Sequence, residues 1–207
     1  MGKPDRRQLS FDFGQGPPPG ETDLRHELFF ALLPDPAAAA RCAALALRLK
    51  SDHRLAAKPR PERLLHVTLA NIVPQAMGLS QAIDAQTLGH RLNEAAQRLR
   101  THPFRLSFDR IMTFQQPKRP IVLCAGDGRG AVQLLHQQLA AAGRAGGLSV
   151  PFKADMEPHV TLLYDRRAVP PATLEEPIEW TVRDIVLIRS HIGFGRHDHL
   201  GRWPLCG

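Results

Sequence analysis

The chain has 207 residues, 43% of them hydrophobic and 23% charged, enough to bury a full core without disulfide or metal staples. A formal net charge of +7 and a pI near 10.0 favour polyanionic ligands such as phosphate backbones, although a cationic face also serves plain solubility. Cys42, Cys124 and Cys206 lie far apart with no Cys-x-x-Cys spacing, which argues against a zinc ribbon or a secreted disulfide scaffold and points to a reducing cytoplasm.

Residues 1–25 contain Gly14-Gln15-Gly16-Pro17-Pro18-Pro19-Gly20 and are expected to form a flexible tail, with no signal-peptide apolar core. Within them, Gln8-Leu9-Ser10-Phe11-Asp12-Phe13 loosely resembles the short peptide by which bacterial proteins dock on the replication sliding clamp, so a weak clamp contact is one partner to consider. The apolar run 27–33 ends at Pro34 and predicts a buried strand. The Ala- and Leu-rich run 35–50 predicts a helix capped by Asp35, with Pro36 at its first position. A strand follows over 65–73. A second helix over 84–100 carries Ile83, Leu88, Leu92, Ala95, Ala96 and Leu99 as its apolar stripe. Alternation of Phe104, Leu106 and Phe108 with polar residues predicts a strand over 104–114, paired with another over 121–125. A third helix is expected over 131–142, stopping at Gly143. Strands over 159–164, 179–190 and 201–205 complete the chain. No apolar run is long enough to span a bilayer.

Two of these strands carry the same motif. His66-Val67-Thr68-Leu69 recurs as His159-Val160-Thr161-Leu162, and in a strand His and Thr share one face while Val and Leu share the other. A His-x-Thr-Leu match arises by chance at on the order of a few positions in ten thousand, so a single copy would mean only polar residues on a solvent face, whereas two copies demand an explanation. Two such strands facing one another offer two imidazoles and two hydroxyls to one substrate. The element order around them reads as two rough copies of one unit. The fold class expected is α+β: a bilobal pseudo-twofold duplication, two antiparallel or mixed sheets flanking a central cleft, helices on the outside.

With both motifs on strands, the chain resembles the 2H phosphoesterase superfamily, and within it the bacterial 2′,5′ RNA ligase-like family of RNA 2′,3′-cyclic phosphodiesterases. The likeness covers residues 26–207 as a single bilobal domain, including Leu28-Phe29-Phe30-Ala31, both motif blocks, and Ser190, Gly193 and Trp203-Pro204-Leu205. It implies metal- and cofactor-free hydrolysis of RNA 2′,3′-cyclic phosphate ends to a phosphomonoester, often the 2′-phosphate, with some weak reversible 2′,5′ RNA joining. By the same resemblance, His66 protonates the leaving ribose oxygen, His159 activates water, and Thr68 and Thr161 hold the phosphoryl oxygens. Where some relatives carry an arginine two positions past the second motif's leucine, this chain has Tyr164. Arg166 or Arg167, in the following turn, is then the expected cation. The partners implied are RNA with cyclic phosphate ends or a cyclic nucleotide, bound by a cytoplasmic monomer without membrane contact. Alternatives are a 2H enzyme acting on ADP-ribose cyclic phosphate or 2′,5′-oligoadenylate, and a non-catalytic RNA-end binding module.

Other features read more plainly. His191, His197 and His199 lack the carboxylates or cysteines that complete a metal site, and suit surface or RNA contact better. His26, His53, His90, His102 and His136 are expected to face solvent. Gly126-Asp127-Gly128-Arg129-Gly130 matches no nucleotide-loop pattern and reads as a turn. Ser149 and Ser190 sit in no nucleophile elbow, and Asp155 and Glu157 could orient His159.

Overall fold

The structure, a computed structural model, describes residues 10–11, 26–72, 85–147, 150 and 156–206. After β1 (Ser10–Phe11), β2 (His26–Leu32) leads into α1 (Pro36–Asp52). The Asp35 carboxylate accepts from the Ala38 N–H at 2.8 Å, and Pro36, which has no N–H to leave unsatisfied, starts the first turn. The helix buries Ala38, Ala39, Cys42, Leu45, Ala46 and Leu49, residues three and four apart that share one face. A 3-10 turn (Glu62–Leu64) precedes β3 (Val67–Ile72), and α2 (Ala85–Gln97), β4 (Phe104–Thr113) and β5 (Pro120–Ala125) follow. Then come α3 (Arg129–Ala145), β6 (His159–Tyr164), β7 (Ala172–Val182), β8 (Asp184–His191) and β9 (Arg196–Pro204).

Three sequence expectations shift. α3 runs through Gly143 and ends at Gly146, whose N–H reaches the Ala142 and Gly143 carbonyls; Gly143 is buried, and packing offsets the roughly 1 kcal/mol that glycine costs inside a helix. The single strand expected over 179–190 is two strands broken at Arg183. β7 begins earlier because it lies at the end of the sheet, where Glu175, Glu176 and Pro177 are tolerated and blunt an open edge. Ser10 and Phe11 pair with Arg202 and Gly201 of β9, so this part of the expected tail is extended strand. The rest of the clamp-like hexamer, along with Val73, Ile83, Asp84, Ser149 and Asp155, lies outside the described residues.

The sheet order is β1-β9-β8-β2-β3-β6-β5-β4-β7, every neighbouring pair antiparallel. Read outward from its centre, β3-β2-β8-β9 matches β6-β5-β4-β7, so the two expected sheets are halves of one sheet related by a pseudo-twofold. They meet at a single registered pair, Val67 with Val160, both fully buried. The crossover helices exchange places: α1, which links two strands of the first half, packs on β6 and β7, while α3 of the second half packs on β3. One large core, including Phe30, Leu32, Phe108, Leu123, Leu135 and Leu162, fills the space between sheet and helices. A small second cluster of Phe29, Ala31, Val186 and Ile188 covers the other face of the first half.

Each motif strand is bulged at the same place. On β3, Phe30 pairs with Ala70 and Ala31 with Thr68, leaving Leu69 extra; on β6, Ile121 pairs with Leu163 and Val122 with Thr161, leaving Leu162 extra. The spare carbonyls find donors from the other half of the molecule. His136 Nδ1–H donates to Leu69 O at 2.7 Å, and the Arg60 amide donates to Leu162 O at 2.8 Å. His136 is therefore buried, at 3% exposure, and not solvent-facing as its helical position suggests. Replacing it with leucine leaves that carbonyl buried without its donor, and urea unfolding should show a loss of about 1–3 kcal/mol; a change within error would remove this bond as a support of the bulge.

Candidate active site

Because Val67 and Val160 pair across the seam, the residues before and after them are set in crossed register: His66 stands across from Thr161, and His159 from Thr68. All four line one cleft of about 620 Å³, within the range of small-ligand sites. The bulges carry the strands on so that Asn71 of β3 and Tyr164 of β6, each five residues beyond its histidine, also reach this cleft. Arg60, Glu27, Phe29, Phe114, Glu157, Ser190 and His197 are among its other wall residues, with His136 at the bulge of β3.

Both imidazoles are fixed in the same way. His66 Nδ1 lies 2.8 Å from the Leu64 carbonyl, and His159 Nδ1 lies 2.8 Å from the Glu157 carbonyl, each two residues upstream. A carbonyl only accepts, so Nδ1 carries hydrogen in both rings and Nε2 is left to exchange a proton. Aromatic neighbours hold the ring planes: Phe29 stacks on His66 with centroids 4.9 Å apart, and Phe114 meets His159 edge-on at 4.8 Å. His197 meets His66 edge-on at 5.2 Å. Sequence reasoning groups it with His191 and His199, but its register opposite Ser190 puts it on the cleft wall. Among the described residues no three His, Cys, Asp or Glu side chains gather as a metal-ligand cluster.

The electrostatics differ between the two sides. Burial pushes His66 down to about 3, against the pull of the Leu64 carbonyl, with Arg60, His197 and His159 adding repulsion. His197 is brought down to about 4 by burial and by Arg60. His159 is also lowered by burial, but the carbonyl and carboxylate of Glu157 oppose the change. That carboxylate is clamped by Arg110 at 3.0 Å and Arg129 at 2.7 Å. The turn read at residues 126–130 delivers Arg129: Gly128 caps α3 at φ 82°, and a Cβ there would lie 2.5 Å from the Arg105 carbonyl.

Arg60 is the cation that sequence reading misses. It sits six residues before His66 in a Pro-Arg-Pro loop, yet the hydrogen bond from its backbone N–H to the Leu162 carbonyl brings it against the second motif strand, with its guanidinium 6.0 Å from the Tyr164 ring. Its Nε is buried and has no hydrogen-bond acceptor among the described residues, and its Nη2 donates to the Leu64 carbonyl at 3.4 Å. Arg166 and Arg167 do not line the cleft. The Asp165 carboxylate accepts from the Arg167 and Ala57 amides and turns the chain, the Arg166 carbonyl accepts from Arg119, and Arg167 reaches the Arg54 carbonyl. A second hollow, of about 730 Å³ between α1 and β7, holds none of the motif residues.

The 2′-5′ RNA ligase superfamily model matches residues 33–193. Among solved structures, Escherichia coli LigT complexed with 3′-AMP is 25% identical with a TM-score of 0.61, the match covering 88% of this chain and 99% of that one. TT0787 of Thermus thermophilus is 21% identical with a TM-score of 0.65, covering 87% and 98%, and a crystal structure described as a phosphoesterase is 22% identical with a TM-score of 0.63, covering 88% and 99%. No curated protein matches the sequence.

With His66 pushed from 6.5 to about 3, the unfolded chain binds a proton between those values that the folded chain does not. Stability is therefore complete above pH 6.5 and falls as the pH drops towards 3. His66→Gln, which removes this uptake, should lose less stability than the parent between pH 7 and pH 4.5 in urea titrations; equal losses would show that His66 does not titrate in that window.

Proposed function

The chain belongs to the 2′-5′ RNA ligase superfamily of phosphoesterases and ligases, and from that premise we propose that it hydrolyses RNA 2′,3′-cyclic phosphate ends to a phosphomonoester, the 2′-phosphate, by two-histidine acid–base catalysis. The observation that carries the reading is the pair of Nδ1-anchored imidazoles, His66 and His159, in one cleft with Thr68, Thr161 and Arg60. In this reading residues 26–207 are a single catalytic unit, to which residues 1–25 are appended. E. coli LigT has been crystallised with 3′-AMP, a ribonucleoside phosphate of the size and chemistry this cleft would take.

Opening the ring needs a proton taken from water on one side of phosphorus and a proton given to the departing ribose oxygen on the other. His159, whose basicity the Glu157 carboxylate supports, takes the water proton at Nε2. Burial leaves His66 neutral at pH 7 until an anion binds, and it gives its proton to the leaving oxygen from the phosphate-bound state. The phosphate anion, lying between His66 and Arg60, supplies the charge that favours its protonated form. Thr68, Thr161 and the Arg60 guanidinium hydrogen-bond the phosphoryl oxygens, with Tyr164 flanking that cation. Charge is thus balanced by fixed protein donors, and ring strain in the five-membered phosphate lowers the remaining barrier. With an RNA 5′-hydroxyl in place of water the same groups give a slow 2′,5′ joining of RNA ends: His159 takes the hydroxyl proton, the 5′ oxygen bonds to phosphorus, and the 3′ oxygen leaves with a proton from His66.

Three outcomes follow. His66→Ala and His159→Ala should each lower kcat by about 10²- to 10⁴-fold on a nucleoside 2′,3′-cyclic phosphate while circular dichroism stays unchanged; parental activity in either variant would take that residue out of the mechanism. Phosphorus NMR should show the 2′-monoester, and the rate should persist in EDTA; loss of turnover restored by added metal would require a different chemistry. Arg60→Met should raise KM at least tenfold, read by steady-state kinetics.

A further inference from the structure

The hairpin joining β8 to β9 projects from the cleft rim and exposes apolar surface that the reaction does not use. Ser190 and His197, a registered pair, both line the cleft. One pair further out, His191 faces Arg196, and the tip runs from Ile192 to Gly195. The tip is a four-residue turn one registered pair beyond the cleft wall. There Phe194 is 67% exposed and Ile192 42% exposed.

The tip is held in place. Gly193 and Gly195 take positive φ values of 86° and 59°, and the Phe194 amide donates to the His191 carbonyl. Arg63 donates to the Gly195 carbonyl at 3.2 Å, tying the tip to the loop just before the first motif. At the hairpin's base, Asp198 accepts from His191 at 2.7 Å and from Arg196 at 2.9 Å. An exposed phenyl ring therefore stands on a braced support beside a cationic cleft, with Arg63 bound to the tip, while Arg196 is held by Asp198 on the sheet face away from the cleft.

Resting on the cyclic phosphodiesterase reading, we propose that this hairpin is a second nucleotide subsite: the base adjoining the cyclic-phosphate nucleotide stacks on Phe194, and the phosphate between the two nucleotides runs past Arg63. A 2′,3′-cyclic phosphate exists only on ribose, so the strand is RNA, and a stacking platform accepts any base because every base has a π-face. The Arg63 guanidinium at the tip matches a backbone phosphate. The protein then selects RNA ends over free cyclic nucleotides.

The full chain and its Phe194→Ala and Phe194→Trp variants are compared on adenosine 2′,3′-cyclic phosphate and on a single-stranded RNA tetramer ending in the same cyclic phosphate. The parent should favour the tetramer in kcat/KM. Phe194→Ala should raise KM for the tetramer by about fivefold to a hundredfold at unchanged kcat, leave the mononucleotide unaffected, and be rescued by Phe194→Trp. No preference for length in the parent, or an equal loss on both substrates in Phe194→Ala, would overturn the subsite. If the parent turns over neither substrate, the hydrolytic reading fails by itself; fluorescence anisotropy of a labelled tetramer then decides the subsite, weaker binding by Phe194→Ala supporting it and unchanged binding overturning it.

Discussion

The cleft depends on one cross-strand contact, the pairing of Val67 with Val160 at the centre of the sheet. Both side chains are fully buried on the helix side, each contributing roughly 1.5–3 kcal/mol of burial, and both follow a motif histidine by one residue. Strand alternation then leaves no freedom: with the valines in the core, His and Thr of both strands must face the opposite side. A slip of one residue in either strand would turn its imidazole into the core and its valine into the cleft. The seam thereby fixes stability and chemistry by the same register.

Around that seam the protein arranges unequal surroundings for two similar rings. Each has its Nδ1 on a carbonyl two residues upstream, so the tautomer is built into the local backbone. Beyond this the symmetry ends. His66 has Arg60 and His197 for company, and His159 has a carboxylate that two arginines hold still. Positive charge on one side and a buttressed negative charge on the other separate the proton affinities of the pair, with His66 the weaker holder, so the acid role proposed for His66 rests on a bound phosphate anion raising its affinity.

The sequence makes the motif strands, α1 with its Asp35 cap, and the duplicated plan legible, because these follow from local periodicity and from a repeat. It hides whatever depends on contacts between distant segments. Arg60 lies in a proline-flanked loop whose position comes from a backbone hydrogen bond to Leu162, a residue 102 positions away. His136 looks like any polar residue on a helix until the bulge at Leu69 supplies a buried carbonyl for it. Tyr164 stands out in the sequence, but a strict two-residue alternation puts position 164 on the core side or the cleft side depending on a bulge that no side-chain pattern announces. Arg166 is near the motif along the chain, whereas the Asp165 turn takes it away from the cleft.

The order in which the strands are laid down also matters for how the molecule is made. Although the two halves look like copies, the first is not complete when residue 100 has been synthesised: its sheet needs β8 and β9, and Phe29, the shelf under His66, packs on Val186 and Ile188. The second half, β4 to β7, is contiguous from residue 104 to 182. On a ribosome, therefore, the later half can close first, while β2 waits with an unpaired edge until the last strands emerge. The early half spends that interval exposed to chaperones and to wrong partners, and its side of the cleft is the last part of the protein to form.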